Sequence, residues 1–376
     1  MQGSKSISSY GTIDYASSPW YGVCIPGTAY ENEIEGEEYY RVFAMQRYQV
    51  VCEEQFDLMK ACGANVVRIY LNRWAWGNNA PAGLNREPYK QFIEKVADWC
   101  YGRGLNVIWS AHVYSRWGRN WGFPQKGEFL LTGQIEMPFE PTWTGTWADY
   151  IQWLVEIVSN PKLRRVMCAL HIFNEPPWAD DWPGGPVQDE LENKWNDFSR
   201  QAIIAVRAVV PELPILWQPS PFWIFDICFR KPLNLPNIIY HAVWYCWVPD
   251  PYTRDWEIDW IARAYAEGRY DEGKQKMIQY FYDRRFFELQ DKGEDVFFGE
   301  IGTDPYCQEA YWDRWMQDFY DICYERRIGF VQHAFLYTPP KIPEPVAWYM
   351  WGMLESDFKS LNEVGQLWRT NMSNTP

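Results

Sequence analysis

Residues 166–178 read VMCALHIFNEPPW, an apolar run without polar alternation that stops abruptly at Asn174, Glu175, Pro176 and Pro177. A run of this kind is a strand covered on both faces, as in a parallel sheet sandwiched by helices. Proline biases the residue before it towards extended backbone and ends ladder pairing. Glu175 is therefore expected at the C-terminal tip of a buried strand. Residues 295–303, DVFFGEIGT, repeat the design with Glu300 at the tip.

The rest of the chain keeps the same beat. Residues 20–26 (WYGVCIP), 64–71 (ANVVRIYL), 105–112 (LNVIWSAH), 214–218 (PILWQ), 237–245 (NIIYHAVWY) and 329–337 (GFVQHAFLY) read as further strands. Residues 48–62, 87–103, 147–159, 191–210, 274–290 and 309–326 read as helices, with Gly63, Gly104 and Pro211 as stops. Eight strand and helix beats predict an α/β fold, a (β/α)8 TIM barrel, for which 376 residues is an ordinary length. No linker, repeat or low-complexity block divides the chain. Residues 19–376 are expected to form one barrel domain after a polar arm at 1–18, with 252–270 as a partly helical insertion.

Barrels of this class place their sites at the C-terminal face, where the strand ends meet. Arg68, His112, Glu175, Tyr245, Glu300 and His333 all fall near strand ends in this reading, and so converge on one mouth. The Trp-studded stretch 113–146 adds a long loop there, and loops of that length in compact domains are usually functional.

Composition limits the partners. A net charge of -14 disfavours nucleic acid and strongly anionic polysaccharides. With 24 Trp and 25 Tyr, most rings must fill the core, yet loop rings such as Trp117, Trp121, Trp143 and Trp178 suit stacking on the flat faces of neutral sugars. The nine Cys lie mostly inside apolar runs and read as small core residues. No cysteine pairs have zinc spacing and no glycine-rich nucleotide loop is present, so neither a metal nor another cofactor is expected. No apolar run is long enough to span a membrane, and no signal-peptide pattern follows Met1.

Two carboxylates at a barrel mouth suit glycoside hydrolysis: one protonates the leaving oxygen while the other attacks the anomeric carbon or activates water. A lone strand-end Glu is more often a partner for an Arg. Two of them, on the fourth and seventh strands, favour catalysis.

Asn174-Glu175-Pro176 on strand four, Gly299-Glu300-Ile301-Gly302 on strand seven, Arg68 ending strand two and His112 ending strand three resemble glycoside hydrolase family 5 of clan A, across nearly the whole chain. The resemblance implies Glu175 as acid/base, Glu300 as nucleophile and Asn174 as the residue that bonds the sugar 2-hydroxyl. It implies that Arg68 holds the nucleophile ionised, and that the two carboxyl groups of this retaining family stand about 5 to 5.5 Å apart. The family's His-x-Tyr on strand six aligns as Val243 and Tyr245, so the histidine is replaced. His241 lies on the same face about 6.6 Å deeper and reads as a core residue that is also the candidate substitute. On strand eight His333 stands where the family carries a Trp. His171, on the face of Glu175, reads as a hydrogen-bonded core histidine.

The leading expectation is an endo-acting retaining β-glycosidase on neutral β-1,4-glucan, with mannan and β-1,3-glucan as alternatives, and a barrel that binds carbohydrate without cleaving it as the competing class. Polymer degradation implies an extracellular enzyme whose leader has been removed; the odd cysteine count points instead to the reducing cytoplasm. The sequence does not specify an oligomeric state.

Overall fold

Eight parallel strands close on themselves: β1 (Tyr21–Ile25), β2 (Val66–Leu71), β3 (Asn106–Ala111), β4 (Met167–His171), β5 (Ile215–Trp217), β6 (Ile238–Cys246), β7 (Asp295–Thr303) and β8 (Gly329–Gln332). This is a computed structural model, described over residues 19–25, 51–82, 87–111, 134–137, 143–174, 176, 186–219, 229–246, 256–303, 311–335, 352–355 and 359–373. Each strand pairs with its sequence neighbours, and β1 closes the ring on β8 through Tyr21 against Phe330. Closure leaves no open sheet edge, and the fold is the expected (β/α)8 barrel.

Alternation along the strands divides the core in two. Trp20, Cys24, Val66, Tyr70, Ile108, Leu216, Phe297 and Val331 fill the barrel's interior. Their neighbours Val23, Val67, Ile69, Val107, Trp217 and Phe298 face outward under the helices. Side chains two apart share a face, so Val66, Arg68 and Tyr70 of β2 form one inward column. Much of the aromatic content goes into this packing: Trp20, Trp109, Trp153, Trp195, Trp217, Trp244, Trp315 and Trp368 are fully buried.

The helices follow the strands as read, with differences at their ends. Helix α1 (Glu53–Ala61) starts later than expected, while α2 (Arg73–Asn78) is an added short helix capped by Asn72, whose Oδ1 accepts from the Ala75 N–H. Helix α3 (Tyr89–Gly102) ends at Gly104, where φ of +61° suits glycine. Helix α4 (Trp147–Ser159) begins at a Thr146 and Asp149 capping box. It is followed by α5 (Pro161–Arg164) and, after β4, by α6 (Pro186–Val209), which begins earlier than the apolar pattern suggested. In the insertion expected at 252–270 lies α7 (Trp256–Ala266).

The single helix expected over 274–290 is two, α8 (Tyr270–Asp283) and α9 (Phe286–Asp291). Arg285 at φ 64° breaks the backbone between them, which turns Phe286 and Phe287 into the core. After β7 come α10 (Trp312–Arg326) and, past β8, a C-terminal helix α11 (Glu363–Ser373) that sequence reading did not assign. Within the stretch read as one long loop, residues Gln134–Met137 and Trp143–Thr146 form an antiparallel hairpin. The arm at 1–18 and the remainder of that loop lie outside the described residues. No described helix is long and apolar enough to cross a membrane.

Candidate active site

The site is built upward from Arg68. It is the third residue of β2 rather than its last, and its Cα pairs with those of Cys24 and Ile108 inside the barrel. A long side chain makes up the difference, and the guanidinium, fully buried, links the interior to the mouth. Nη1 donates to Glu300 Oε1 at 2.6 Å, the Gly299 carbonyl at 2.8 Å and the Tyr70 hydroxyl at 3.2 Å. Nη2 donates to Asn174 Oδ1 at 2.7 Å, Ser110 Oγ at 2.9 Å and His171 Nδ1 at 2.9 Å. Arginine only donates, so His171 accepts on Nδ1 and carries its ring proton on Nε2. By the same logic Asn174 presents its oxygen to Arg68. Its Nδ2 is buried with no hydrogen-bond partner among the described residues. Burial works against charge on Arg68, but Tyr70 and Glu300 outweigh it and hold the guanidinium above its ordinary value.

Glu300 reaches this point because β7 carries an extra residue. Phe297 faces the interior and Phe298 the helices, so strict alternation would send Glu300 outward. Register breaks against both neighbours instead: Ala242 and Val243 of β6 pair with Phe298 and Glu300, while Phe330 and Gln332 of β8 pair with Phe298 and Ile301. Such bulges re-aim side chains beside active sites. The inserted position must be glycine, since a Cβ on Gly299 would lie 1.7 Å from His241 Nε2. His241 is thereby packed against β7, with its ring stacked 4.6 Å from that of His171.

Two phenols complete the carboxylate's surroundings. Tyr245 of β6 donates to Glu300 Oε2 at 2.6 Å, and Tyr70 of β2 donates to Oε1 at 2.7 Å. Burial pushes the Tyr70 phenol well above its ordinary value, which keeps the proton available for donation. His333 lies one residue past β8 and bonds through its N–H to the Ile301 carbonyl at 2.7 Å. Its ring stacks on Tyr70 at 6.0 Å and meets Tyr245 edge-on at 6.2 Å. Burial lowers the imidazole to about 4; Glu300 opposes that shift and Arg68 adds to it. Cys24, whose thiol bonds to the Gly299 carbonyl at 3.3 Å, is pushed up by burial to about 12.

Arg68, Asn174, Tyr245, Glu300 and His333 thus come together. Trp143 opens the second strand of the hairpin. Glu175, His112, Trp117, Trp121 and Trp178 lie outside the described residues, and with Glu175 goes the expected separation of the two carboxyl groups. The sequence reading missed Tyr70 and Ser110, each of which sits on the inward face of its strand. In RIY the two-residue period already put Tyr70 above Arg68. Among the described residues no group of three or more His, Cys, Asp or Glu is arranged to hold a metal ion.

A buried, arginine-paired glutamate in the C-terminal half of the seventh strand, three residues short of the tip expected for it, joined through that arginine to an asparagine just past the fourth, is the arrangement of a barrel glycoside hydrolase. The profile of the family Cellulase (glycosyl hydrolase family 5) matches residues 29–333, and the chain belongs to that family. Solved structures agree on the fold. Thermotoga maritima Cel5A in complex with mannotriose is 17% identical, covering 96% of this chain and 100% of its own, with a TM-score of 0.61. A β-glucanase from Saccharophagus degradans is 14% identical, covering 94% and 88%, with a TM-score of 0.60. Pseudomonas stutzeri endoglucanase Cel5A is 15% identical, covering 95% of each chain, with a TM-score of 0.55. No curated protein matches the chain by sequence.

Proposed function

We propose that this glycoside hydrolase is a retaining, endo-acting β-glycosidase that cleaves a neutral β-linked polysaccharide, with β-1,4-glucan as the leading substrate. Glu300 is the nucleophile and Glu175 the acid/base. In the first step a Glu300 oxygen bonds to the anomeric carbon as the glycosidic C–O bond breaks, and Glu175 gives its proton to the leaving oxygen. In the second, water gives a proton to Glu175 and attacks the same carbon, and Glu300 departs as a carboxylate.

The observation that carries this reading is the set of donors on Glu300. Its carboxylate accepts from a guanidinium at 2.6 Å and from two phenols at 2.6 and 2.7 Å, all of which favour the charged form that a nucleophile needs and an acid does not. Asn174 supports it as well: with Oδ1 committed to Arg68, the buried Nδ2 is a donor for a sugar 2-hydroxyl. His333 at the mouth, together with His112, Trp117, Trp121, Trp143 and Trp178, is assigned to substrate binding. Mannan is the second substrate reading, because one structural neighbour was solved with mannotriose.

A hydrolysis panel of soluble β-1,4-glucan, β-1,3-glucan and mannan names the substrate. Glu300→Ala and Glu175→Ala, each given azide and an activated aryl glycoside, assign the roles. Loss of the nucleophile yields the glycosyl azide of inverted configuration, and loss of the acid/base yields the retained one. Wild-type rates in either variant would contradict the assignment.

A further inference from the structure

We propose that Tyr70 is a positioning residue for the nucleophile, filling from β2 the place left by the strand-six histidine. Together with Arg68 it fixes Glu300 Oε1 as the spectator oxygen, so that Oε2 attacks. This rests on Glu300 being the nucleophile.

The neighbour of Glu300 on β6 is Val243, in direct register and without a donor. The donors come from across the barrel. Tyr70 and Arg68, two apart on β2, share one inward face and converge on the same carboxylate oxygen at 2.7 and 2.6 Å. Arg68 Nη1 also donates to the Tyr70 oxygen at 3.2 Å, which polarises the phenol and strengthens its own donation. The ring is fixed on two sides, stacked on His333 at 6.0 Å and under the Arg68 guanidinium at 4.7 Å. Oε2 meets the neutral phenol of Tyr245. Oε1 holds the ion pair with Arg68 as well as the Tyr70 bond, whereas Oε2 meets an uncharged donor, so an approach to carbon costs less from Oε2 than from Oε1.

The two oxygens then have different histories. When Oε2 bonds to the anomeric carbon and the leaving oxygen takes the acid's proton, Oε1 becomes the carbonyl oxygen of an ester. When water later displaces that ester, the electron pair of the C–O bond returns to the carboxylate, and the donors on Oε1 stabilise it as it leaves. The Tyr70 hydroxyl therefore counts most in the second step.

The test uses the full chain and 2,4-dinitrophenyl β-cellobioside, whose good leaving group makes the first step fast. Tyr70→Phe is expected to lower kcat about 10- to 100-fold, to lower KM as the glycosyl-enzyme accumulates, and to show a burst of dinitrophenol equal to the enzyme present. The acidic limb of its kcat/KM pH profile, which reports the free enzyme with Glu300 unesterified, should move to higher pH. Tyr70→Met, which removes the ring as well, should share the burst. Loss of rate with neither burst nor pH movement means a merely structural role and overturns the proposal, as does a kcat within twofold of wild type. Should both variants lose the fold, 3-fluorotyrosine installed at position 70 keeps the ring and acidifies the donor. The limb should then move to lower pH, and an unmoved limb overturns the proposal. Glu300→Ala separates the two levels: if it stays active the nucleophile assignment fails, whereas an inactive Glu300→Ala beside an unaltered Tyr70→Phe sinks only the role of Tyr70.

Discussion

Burying a guanidinium costs several kcal/mol of hydration, which acceptors for its N–H groups must offset. Nη1 and Nη2 of Arg68 find them on four strands and at the tip that follows β4, in Tyr70, Ser110, His171, Asn174, Gly299 and Glu300, while Nε is buried with no hydrogen-bond partner among the described residues. Removing it leaves Glu300 buried and without its cation, so Arg68→Ala should cost about 3–5 kcal/mol of stability, read by denaturant unfolding. In the fraction that folds, the acidic limb of the pH-rate profile should move to higher pH, because protonating Glu300 no longer opposes a fixed positive charge. Arg68→Lys keeps the charge but not the planar fork. It should leave that limb near its wild-type position while the rate falls, since one ammonium cannot hold Glu300 and Asn174 at once. An unmoved limb in Arg68→Ala would remove Arg68 from this role. The sequence made the charge conspicuous and placed Arg68 near the mouth, but set it at the strand's end. Its reach from the middle of β2 depends on side-chain length, which apolar patterning does not encode.

Among the elements, β7 is the one whose local irregularity makes the site. All eight strands were legible, because runs such as ANVVRIYL and DVFFGEIGT have no other stable place than a sheet covered on both faces. The bulge was not, since an inserted residue changes register without changing hydrophobicity, and its only trace is Gly299. The break between α8 and α9 escaped for a related reason: Arg285 adopts a left-handed backbone that its sequence does not announce. Gly299→Ala tests the bulge. Its Cβ would overlap His241, which is itself stacked on His171, so the clash has no flexible side chain to absorb it. The variant should lose about 1–3 kcal/mol and most of its activity, with Glu300 displaced from Tyr245. Gly102→Ala at the end of α3, where a Cβ meets nothing within 4 Å, should leave both unchanged or be slightly stabilising. Equal effects of the two changes would mean that helix and strand glycines here serve only as generic breaks.

At the scale of the whole molecule, the barrel persists among proteins 14–17% identical to this one. Closure demands only strands apolar on both faces and an apolar stripe on each helix, and many sequences supply both. The polar groups inside the mouth are the particular part, and they tie global stability to pH. His333, 9% exposed, is held at about 4 against an ordinary 6.5, mainly by burial. Between those values the unfolded chain binds a proton that the native chain refuses, so stability rises with pH across the window. Its contribution is whole above pH 6.5 and is lost as pH falls towards 4. The slope is at most about 1.4 kcal/mol per pH unit, or about 3 kcal/mol over the window. His333→Phe keeps an aromatic ring against Tyr70 and removes the titration. Unfolding free energies of the two proteins, measured from pH 4 to 7, should therefore diverge progressively on the acid side, with the wild type losing the more. Parallel curves would mean that His333 takes up its proton in the native state as readily as in the unfolded one, contrary to the burial of its imidazole between Tyr70 and Tyr245.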